Sequence, residues 1–411
     1  MSGPPVPPAA RAASGWSAAQ RVALRARARD FAQAEIAPHA GRWDREGRMP
    51  REIVTRLGAL GLLGGPLPVE HGGLGADNEA FVGVYEELGR ACSSVRGFVA
   101  VHTGLVSQCL ADHGTPEQRR RWLPRLATGE LIGCYALTEE GAGSDVSAIA
   151  TRAVRADGGA PAGPPASGVH AGAGAWRLDG SKTWITNGGI ADLALVFART
   201  GDGPVKEALT CFAVELPAAG FTALPLGVEP LGHRASDHAR LVLAGLLVPD
   251  GQRLGPVGGG HRIAMSALDH GRLGVAAGAV GVARACLDEV LAHSRSRRQF
   301  GQRIGDFQMV QADIADMSSE TEAAAALVER AARAADEGGP DVTRLTSSAK
   351  LFATEVAQRA ADKAVLLLGN RGYGSGHPVE RYYRDIQGLR IYEGTNHIHR
   401  LIIARALLGR P

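Results

Sequence analysis

The stretch Ile391-Tyr392-Glu393-Gly394-Thr395 places one carboxylate directly before a Gly-Thr pair. Apolar residues follow it at helical spacing, namely Ile398, Leu401, Ile402 and Leu408. Gly394 gives the backbone freedom just after the acid, and Thr395 is a suitable N-cap for the predicted helix. A carboxylate at such a junction can project into a cavity while the helix behind it holds it in place. The same pattern is also typical of a solvated first-turn charge that favours the helix dipole.

The composition is ordinary for a soluble globular protein. The 411 residues suggest two or three domains, with 45% apolar and 21% charged residues. A net charge of +3 is too small to argue for a nucleic-acid or membrane partner. No run of about 18 apolar residues is present, so we expect no transmembrane helix. Residues 1–15 lack a continuous apolar core, and we expect a disordered tail rather than a signal peptide.

Cysteine and histidine usage gives no reason to expect a metal site or disulfides. The five cysteines are scattered without CxxC spacing, which argues against a zinc site and favours a reducing, cytoplasmic location. His397 and His399 stand two residues apart and would face different sides of a helix. We therefore expect no bound metal.

The first 130 residues have helical periodicity. Ser17 with Gln20 and Thr115 with Gln118 fit capping boxes, and these pairs predict two helix starts. We predict an all-helical N-terminal domain over residues 16–130.

Short β-branched or aromatic segments, separated by turn residues, characterise residues 131–250. These predicted strands are Ile132–Glu139, Trp176–Leu178, Lys182–Thr186, Leu193–Ala198, Leu209–Leu216 and Arg240–Val248. Asp179-Gly180 predicts a hairpin turn, and the Gly/Ala/Pro-rich segment 157–174 predicts a mobile loop. Helical periodicity returns over residues 251–411. The predicted fold class is α+β in three blocks: helices, then a β domain, then a helical bundle.

Three motifs point to a flavin or nucleotide. Residues 135–146 leave a strand into a Gly- and hydroxyl-rich turn suited to a pyrophosphate, without the third glycine of a dinucleotide fingerprint. Trp184 at a strand end could stack on an isoalloxazine, or it could be a core tryptophan. Residues 297–301, Arg-Arg-Gln-Phe-Gly, could bind phosphate and a base, or could be a solvated helix end.

Together, these motifs resemble the acyl-CoA dehydrogenases, flavoproteins that desaturate acyl thioesters between the α and β carbons. The resemblance extends from about residue 16 to residue 409. It implies an N-terminal helical domain, a middle β barrel or sandwich and a C-terminal four-helix bundle. It also implies FAD as cofactor, an acyl-CoA or acyl-carrier-protein thioester as substrate, and an electron-transfer flavoprotein as acceptor. A homodimer or homotetramer would be the usual assembly.

The resemblance implies roles for individual residues. The implied cofactor contacts are Tyr135, Leu137, Thr138, Gly143, Ser144, Trp184, Ile185, Thr186, Arg297, Phe300, Gln308, Leu366, Asn370, Thr395 and His397. Of these, Arg297, Phe300 and Gln308 resemble residues that reach a neighbouring subunit's FAD. Leu366 and Asn370 replace a Gln and a Gly that are common in the family. The implied substrate contacts are Arg96, Ser144, Asp269, Arg272 and Gly394.

Glu393 resembles the family's catalytic base, which removes the α-proton while the β-carbon delivers a hydride to flavin N5. Hydrogen bonds to the thioester carbonyl, from the base's own N–H and a ribityl hydroxyl, stabilise the developing enolate. Burial could raise the pKa of Glu393 towards the working pH. Some family members instead carry a Glu immediately before the position of Arg272, where this chain has Gly271.

Arg96 separates two hypotheses about the substrate. Glutaryl-CoA dehydrogenases, which the chain resembles here, place an arginine against a distal carboxylate; their neighbouring acid and Ser are Gly89 and Gly97 in this chain. Arg96 is then either a surface arginine with a snorkelling stem or a contact to a short, polar or anionic acyl group. An oxidase that uses oxygen and a nucleic-acid-associated flavoprotein relative are the alternative functions.

Overall fold

The protein is described by a computed structural model that covers residues 15–156 and 174–409. The predicted disordered tail at residues 1–15 lies outside this range except for Gly15. The predicted loop at residues 157–174 lies outside it except for Gly174.

Seven α-helices occur in residues 15–130, namely α1 Ala18–Phe31, α2 Ala37–Glu46, α3 Arg51–Ala59, α4 Asn78–Ala91, α5 Ser93–Val99, α6 Gln108–His113 and α7 Pro116–Thr128. Both predicted capping boxes are confirmed: Ser17 caps α1 and Thr115 caps α7. Two π-helical segments, Ala32–Ile36 and Ala100–Ser107, join α1 to α2 and α5 to α6.

The middle of the chain forms one eight-stranded sheet. Its elements are β1 Gly133–Ala136, β2 Arg152–Ala156, β3 Ala175–Thr186, β4 Leu193–Arg199, the short helix α8 Val205–Ala208, β5 Leu209–Glu215, β6 Phe221–Pro225, β7 His238–Pro249 and β8 Arg253–Leu254. The strand order is β6-β7-β3-β2-β4-β5-β8, and β1 pairs parallel with β4. Trp176 in β3 contacts Phe212 in β5 with ring centroids 5.6 Å apart, although two strands lie between them in the sheet. The sheet is therefore strongly curved.

The predicted hairpin at Asp179-Gly180 is wrong, because β3 continues through it as one 12-residue strand. The register with β7 shifts between Leu178 and Gly180, which marks a bulge rather than a turn. Gly180 has φ +151, and a Cβ there would lie 2.8 Å from Thr151 Cα. The long ladder with β7 thus outweighs the local turn preference.

The remaining elements are mostly helical: α9 Gly260–Ser296, the hairpin β9 Arg298–Gln299 and β10 Gln302–Arg303, α10 Gln308–Glu337, α11 Val342–Leu368, α12 Asn370–Tyr373, α13 Pro378–Leu389 and α14 Asn396–Leu407. α9, α10 and α11 pack against one another, and α13 and α14 pack on α11.

One hydrophobic core joins the N-terminal helices to the C-terminal bundle. It contains Leu24 and Phe98 from the first block together with Val280, Ala357 and Ile386 from the last. A second core lies between one face of the sheet and nearby helices, and a third lies inside the curved sheet. The predicted domain boundaries stay predictions, but the two helical blocks do not have separate cores.

Candidate functional site

Glu393 lies in a tight turn between α13 and α14. Its φ is +56 and that of Gly394 is +90, so two consecutive residues have left-handed backbone conformations. Such a conformation is uncommon for a residue with a side chain, and it often marks functional positions. The predicted N-cap is confirmed, because Thr395 Oγ1 accepts from Ile398 N at 3.3 Å. The turn is therefore held by the helix that follows it.

The carboxylate of Glu393 lies directly over Gly271 of α9. A Cβ added at Gly271 would be 2.5 Å from Glu393 Oε2 and 2.7 Å from Cδ. Part of the residue is exposed, but Oε2 is screened from solvent and has no hydrogen-bond partner in the described part of the chain. Burial raises the pKa of Glu393 to about 7, although Arg272, Lys350 and Arg96 favour the ionised form. The group can therefore take up a proton near neutral pH.

Two predicted substrate contacts, Asp269 and Arg272, form hydrogen bonds within the helical bundle. Arg272 is buried, and its Nη1 donates to Asp269 Oδ1 at 2.8 Å. Asp269 also accepts from Thr343 Oγ1 at 2.8 Å and from Thr346 Oγ1 at 3.1 Å. Asp269 thus fastens α9 to α11, and its contact with substrate stays a prediction, as does that of Arg272.

Arg96 is buried, with only 1% of its surface exposed. The hypothesis of a surface arginine with a snorkelling stem is therefore wrong. Arg96 Nη2 donates to the hydroxyl of Tyr392, and Nε has no hydrogen-bond partner among the described residues. The stem lies on Gly278 of α9, where a Cβ would be 2.7 Å from Nε. A buried guanidinium bonded to a neutral hydroxyl is costly unless an anion joins it.

Close helix packing explains why the neighbouring position is glycine. A Cβ at Gly89 of α4 would lie 2.6 Å from the carbonyl oxygen of Gly278. The space that a larger side chain would need at residue 89 is therefore filled by the backbone of α9. No acidic side chain can therefore stand at residue 89 without moving the backbone of α9.

The sequence assigned no role to Tyr392, His233 or Lys350, which all lie at the site. Tyr392 Oη lies 3.4 Å from His233 Nε2, and burial keeps the pKa of His233 well below its ordinary value. Lys350 Nζ donates to the carbonyl of Gly394 at 2.8 Å. The sequence carried one signal for Lys350, because it is a lysine within the apolar stripe of α11, between Ala349 and Ala353.

The predicted flavin motifs border an open surface. Trp184 is 51% exposed and has φ +56, which turns it out of the strand end. Gly141 and Gly143 have open space where a Cβ would stand, and Ser144 beside them is exposed. An exposed indole next to an unfilled glycine turn fits a flat cofactor with a pyrophosphate.

The other residues of these motifs are more enclosed. Tyr135, Leu137 and Ile185 are buried in the cores on the two faces of the sheet. Thr138 is half-buried, and Thr186 Oγ1 lies 3.2 Å from His238 Nδ1. Any contact of Ile185 with a cofactor would therefore be through its backbone, and the role of each residue stays a prediction.

A buried ion pair anchors the glycine turn to β3. Lys182 Nζ lies 2.7 Å from Glu139 Oε1, and Glu139 also accepts from Ala150 N at 2.7 Å and Thr151 N at 3.0 Å. The sequence motifs contain both residues, but their pairing was not predicted. It positions the turn that carries Gly141 and Gly143.

A third group of predicted contacts lies on the surface. Phe300 is 95% exposed at the tip of the β9–β10 hairpin with φ +50, and Leu366 is 78% exposed. Arg297, Gln308, Asn370 and His397 are also exposed. For Arg297, Phe300 and Gln308, contact with a neighbouring subunit's cofactor stays a prediction, as does the cofactor contact implied for Leu366, Asn370 and His397.

The described residues bring together no group of three or more His, Cys, Asp or Glu side chains that could hold a metal ion. None of the helices in residues 15–156 and 174–409 has both the length and the apolar character that crossing a membrane requires.

Three acyl-CoA dehydrogenase family models match the chain in order: the N-terminal domain at residues 18–130, the middle domain at 134–246 and the C-terminal domain at 258–408. An acyl-CoA dehydrogenase of Bacillus subtilis is 36% identical over 390 residues, which cover 95% of this chain and 98% of that protein. The mitochondrial short-chain specific acyl-CoA dehydrogenase of Mus musculus is 38% identical over 385 residues, or 94% and 89% of the two chains.

Solved structures agree with these matches. Butyryl-CoA dehydrogenase from Megasphaera elsdenii superposes with a TM-score of 0.88 at 34% identity, covering 94% of this chain and 98% of that one. Glutaryl-CoA dehydrogenase from Mycobacterium smegmatis gives 0.87 at 35% identity, covering 96% of each. A prolyl acyl carrier protein oxidase gives 0.85 at 28% identity, covering 96% of this chain and all 100% of that one.

Proposed function

The chain belongs to the acyl-CoA dehydrogenase family of flavin oxidoreductases, and we propose that it binds FAD and dehydrogenates a short, polar or anionic acyl thioester. Glu393 would remove the α-proton, and Arg96 would bind the far end of the acyl group. One observation carries this proposal: Glu393, whose Oε2 is screened from solvent, directly follows Tyr392, and the buried guanidinium of Arg96, which forms no salt bridge among the described residues, donates to the Tyr392 hydroxyl.

The environment of Glu393 supports its role as the base. An α-proton of a thioester is far less acidic than a carboxylic acid in water, so a base with a raised pKa transfers the proton more efficiently. Burial gives Glu393 a pKa of about 7, and Gly271 leaves room for its carboxylate. The left-handed turn directs the side chain onto α9 rather than into solvent.

The burial of Arg96 supports a polar or anionic acyl group. A carboxylate at the end of the acyl chain would pair with the guanidinium and use its free Nε. A long hydrocarbon chain would instead leave the buried guanidinium without a directly bonded anion. The hydroxyl of Tyr392, which already accepts from Arg96, would orient the guanidinium.

The open surface beside Trp184 supports FAD as the cofactor. Trp184 and Thr186 would line the ring system, and the turn at Gly141, Gly143 and Ser144 would hold the pyrophosphate. A bound flavin supplies the acceptor for the hydride that leaves the β-carbon. The exposed Phe300 would contact the cofactor of a second copy in a homodimer or homotetramer.

The thioester carrier and the electron acceptor are separate parts of the proposal. Coenzyme A is the carrier favoured by the named relatives, whereas the similar prolyl oxidase favours an acyl carrier protein. An electron-transfer flavoprotein is the proposed acceptor. The same similarity makes an oxygen-using oxidase the second candidate function.

Anaerobic flavin reduction tests the proposal. The purified flavoprotein is mixed with five-carbon acyl thioesters that end either in a carboxylate or in a methyl group, on coenzyme A and on a carrier protein. Loss of flavin absorbance measures the reaction. Glu393→Gln should retain FAD yet slow the reduction by roughly 10²–10⁴-fold. Reduction at the wild-type rate would overturn the assignment of the base.

The same assay tests the acyl group. Arg96→Ala should lower kcat/KM for the carboxylate-tipped thioester by roughly 10²-fold or more relative to that for the methyl-tipped one. Arg42→Ala is the matched control, because Arg42 is exposed on α2 and pairs only loosely with Glu46, at 4.0 Å. Equal losses for both thioesters would refute the anionic acyl group. Turnover in air with peroxide formation, without added acceptor, would favour the oxidase.

A further inference from the structure

Lys350 is a fully buried lysine near the centre of α11. Its Nζ donates to the carbonyl oxygen of Gly394 at 2.8 Å and to Asn396 Oδ1 at 2.9 Å. Both acceptors are neutral, so the cost of burying the amine is not offset by a direct ion pair in these contacts. Burying this charged amine therefore costs more than burying an apolar side chain at the same position would. The lysine therefore needs an explanation other than packing.

The bonds of Lys350 fasten the turn that carries Glu393. Gly394 and Asn396 are the first and third residues after Glu393, and Asn396 N also donates to Arg390 O at 3.1 Å. Asn396 is in turn fixed by Thr354 and Glu355, to which its Nδ2 donates at 3.0 and 2.8 Å. Contacts from α11 thus hold the residues that follow Glu393, whose φ of +56 is rarely adopted by a residue with a side chain.

Lys350 also shapes the charge around the carboxylate. Three cations face Glu393: Arg272, Lys350 and Arg96. Arg272 is paired with Asp269, and Arg96 donates to Tyr392. Lys350 and Arg96 are thus both bonded to the turn that carries the base, but only Lys350 bonds to its backbone, at the carbonyl of Gly394.

Lys350 has charged neighbours of both signs. Burial lowers the pKa of Lys350 to about 7, Glu393 and Glu355 favour its charged form, and Arg272 and Arg390 disfavour it. His399 lies against the same turn, and burial together with Lys350 and Arg272 lowers its pKa to about 3, so it stays neutral. Glu393 and Lys350 therefore titrate close together and influence one another.

We propose that Lys350 is a positioning residue for the α-proton base: it holds the Gly394 carbonyl so that the Glu393 carboxylate stays over Gly271, and its charge favours the ionised carboxylate. This inference rests on the proposed role of Glu393. It assigns to α11 a share in setting the pH at which the base works.

The test compares Lys350→Met, which removes the donor and the charge, with Lys350→Arg, which keeps the charge. The pH dependence of kcat/KM is measured for each variant. The ionisation of Glu393 is followed independently as the carboxylic-acid infrared band that Glu393→Gln lacks. In Lys350→Met, the acidic limb of the kcat/KM profile and the titration of the Glu393 band should both move to higher pH by about one unit or more. In Lys350→Arg, both should stay close to their wild-type positions.

Lys350→Gln keeps a hydrogen-bond donor without the charge and serves if the methionine variant does not fold. It should shift the titration in the same direction. A lower rate with an unmoved limb and an unmoved band would show a merely structural role and overturn the inference. If the flavin of the Glu393→Gln variant is reduced by the thioester at the wild-type rate, the proposed function fails. If Glu393→Gln is inactive but Lys350→Met titrates like the wild type, only the inference about Lys350 fails.

Discussion

Gly271→Ala is the sharpest perturbation of the site, because it adds one carbon where the carboxylate of Glu393 lies. The added Cβ would stand 2.5 Å from Oε2, whereas ordinary contacts begin at 3.4 Å, so the carboxylate must retreat by about 1 Å. A misplacement of that size can cost about 10²-fold in rate. Alanine is also favoured over glycine in a helix by up to about 1 kcal/mol, so the variant should not unfold for lack of helix propensity.

Stopped-flow flavin reduction with a saturating thioester measures the loss, and FAD content and the unfolding midpoint are recorded in parallel. The control is Gly41→Ala in α2, where a Cβ would meet only arginine nitrogens, at 3.5 and 3.7 Å. We expect a slow Gly271→Ala variant that keeps its flavin, beside a normal Gly41→Ala variant. Reduction by Gly271→Ala at the wild-type rate would refute the placement of the base over Gly271.

Three further predictions concern Glu393, Arg96 and His102. Because Glu393 must be ionised to accept the α-proton and its pKa is raised to about 7, kcat/KM should fall about tenfold per pH unit below that value; a flat profile would contradict the assignment. Gly278→Ala should displace Arg96, whose Nε would lie 2.7 Å from the new Cβ, and should lower kcat/KM for carboxylate-tipped more than for methyl-tipped thioesters. His102 accepts from Gly133 N at 3.2 Å, and burial lowers its pKa from 6.5 to about 4. The unfolded chain therefore binds this proton more tightly, and the unfolding midpoint should drop as the pH falls from 6.5 towards 4, less steeply in His102→Gln.

Local signals in the sequence determined three of the helix starts. Ser17, Thr115 and Thr395 each cap a helix through a bond to a backbone N–H three residues ahead, and such contacts depend only on neighbouring residues. The motifs around Trp184 and Glu393 likewise identified the family, since their residue types and order are local properties of the chain. The α+β organisation in helical, β and helical blocks followed from periodicity.

Tertiary structure decided what those residues face. Asp179-Gly180 has the local preference of a turn, but pairing with β7 along the whole strand outweighs it. Arg96 could not be identified as buried from sequence, because its burial depends on how closely α4 and α9 approach at Gly89 and Gly278. The opposition of Gly271 and Glu393, and the bond from Lys350 to Gly394, join residues far apart in the chain. Burial and charge at this site therefore arise only when the helices pack, since desolvation depends on everything that surrounds a group.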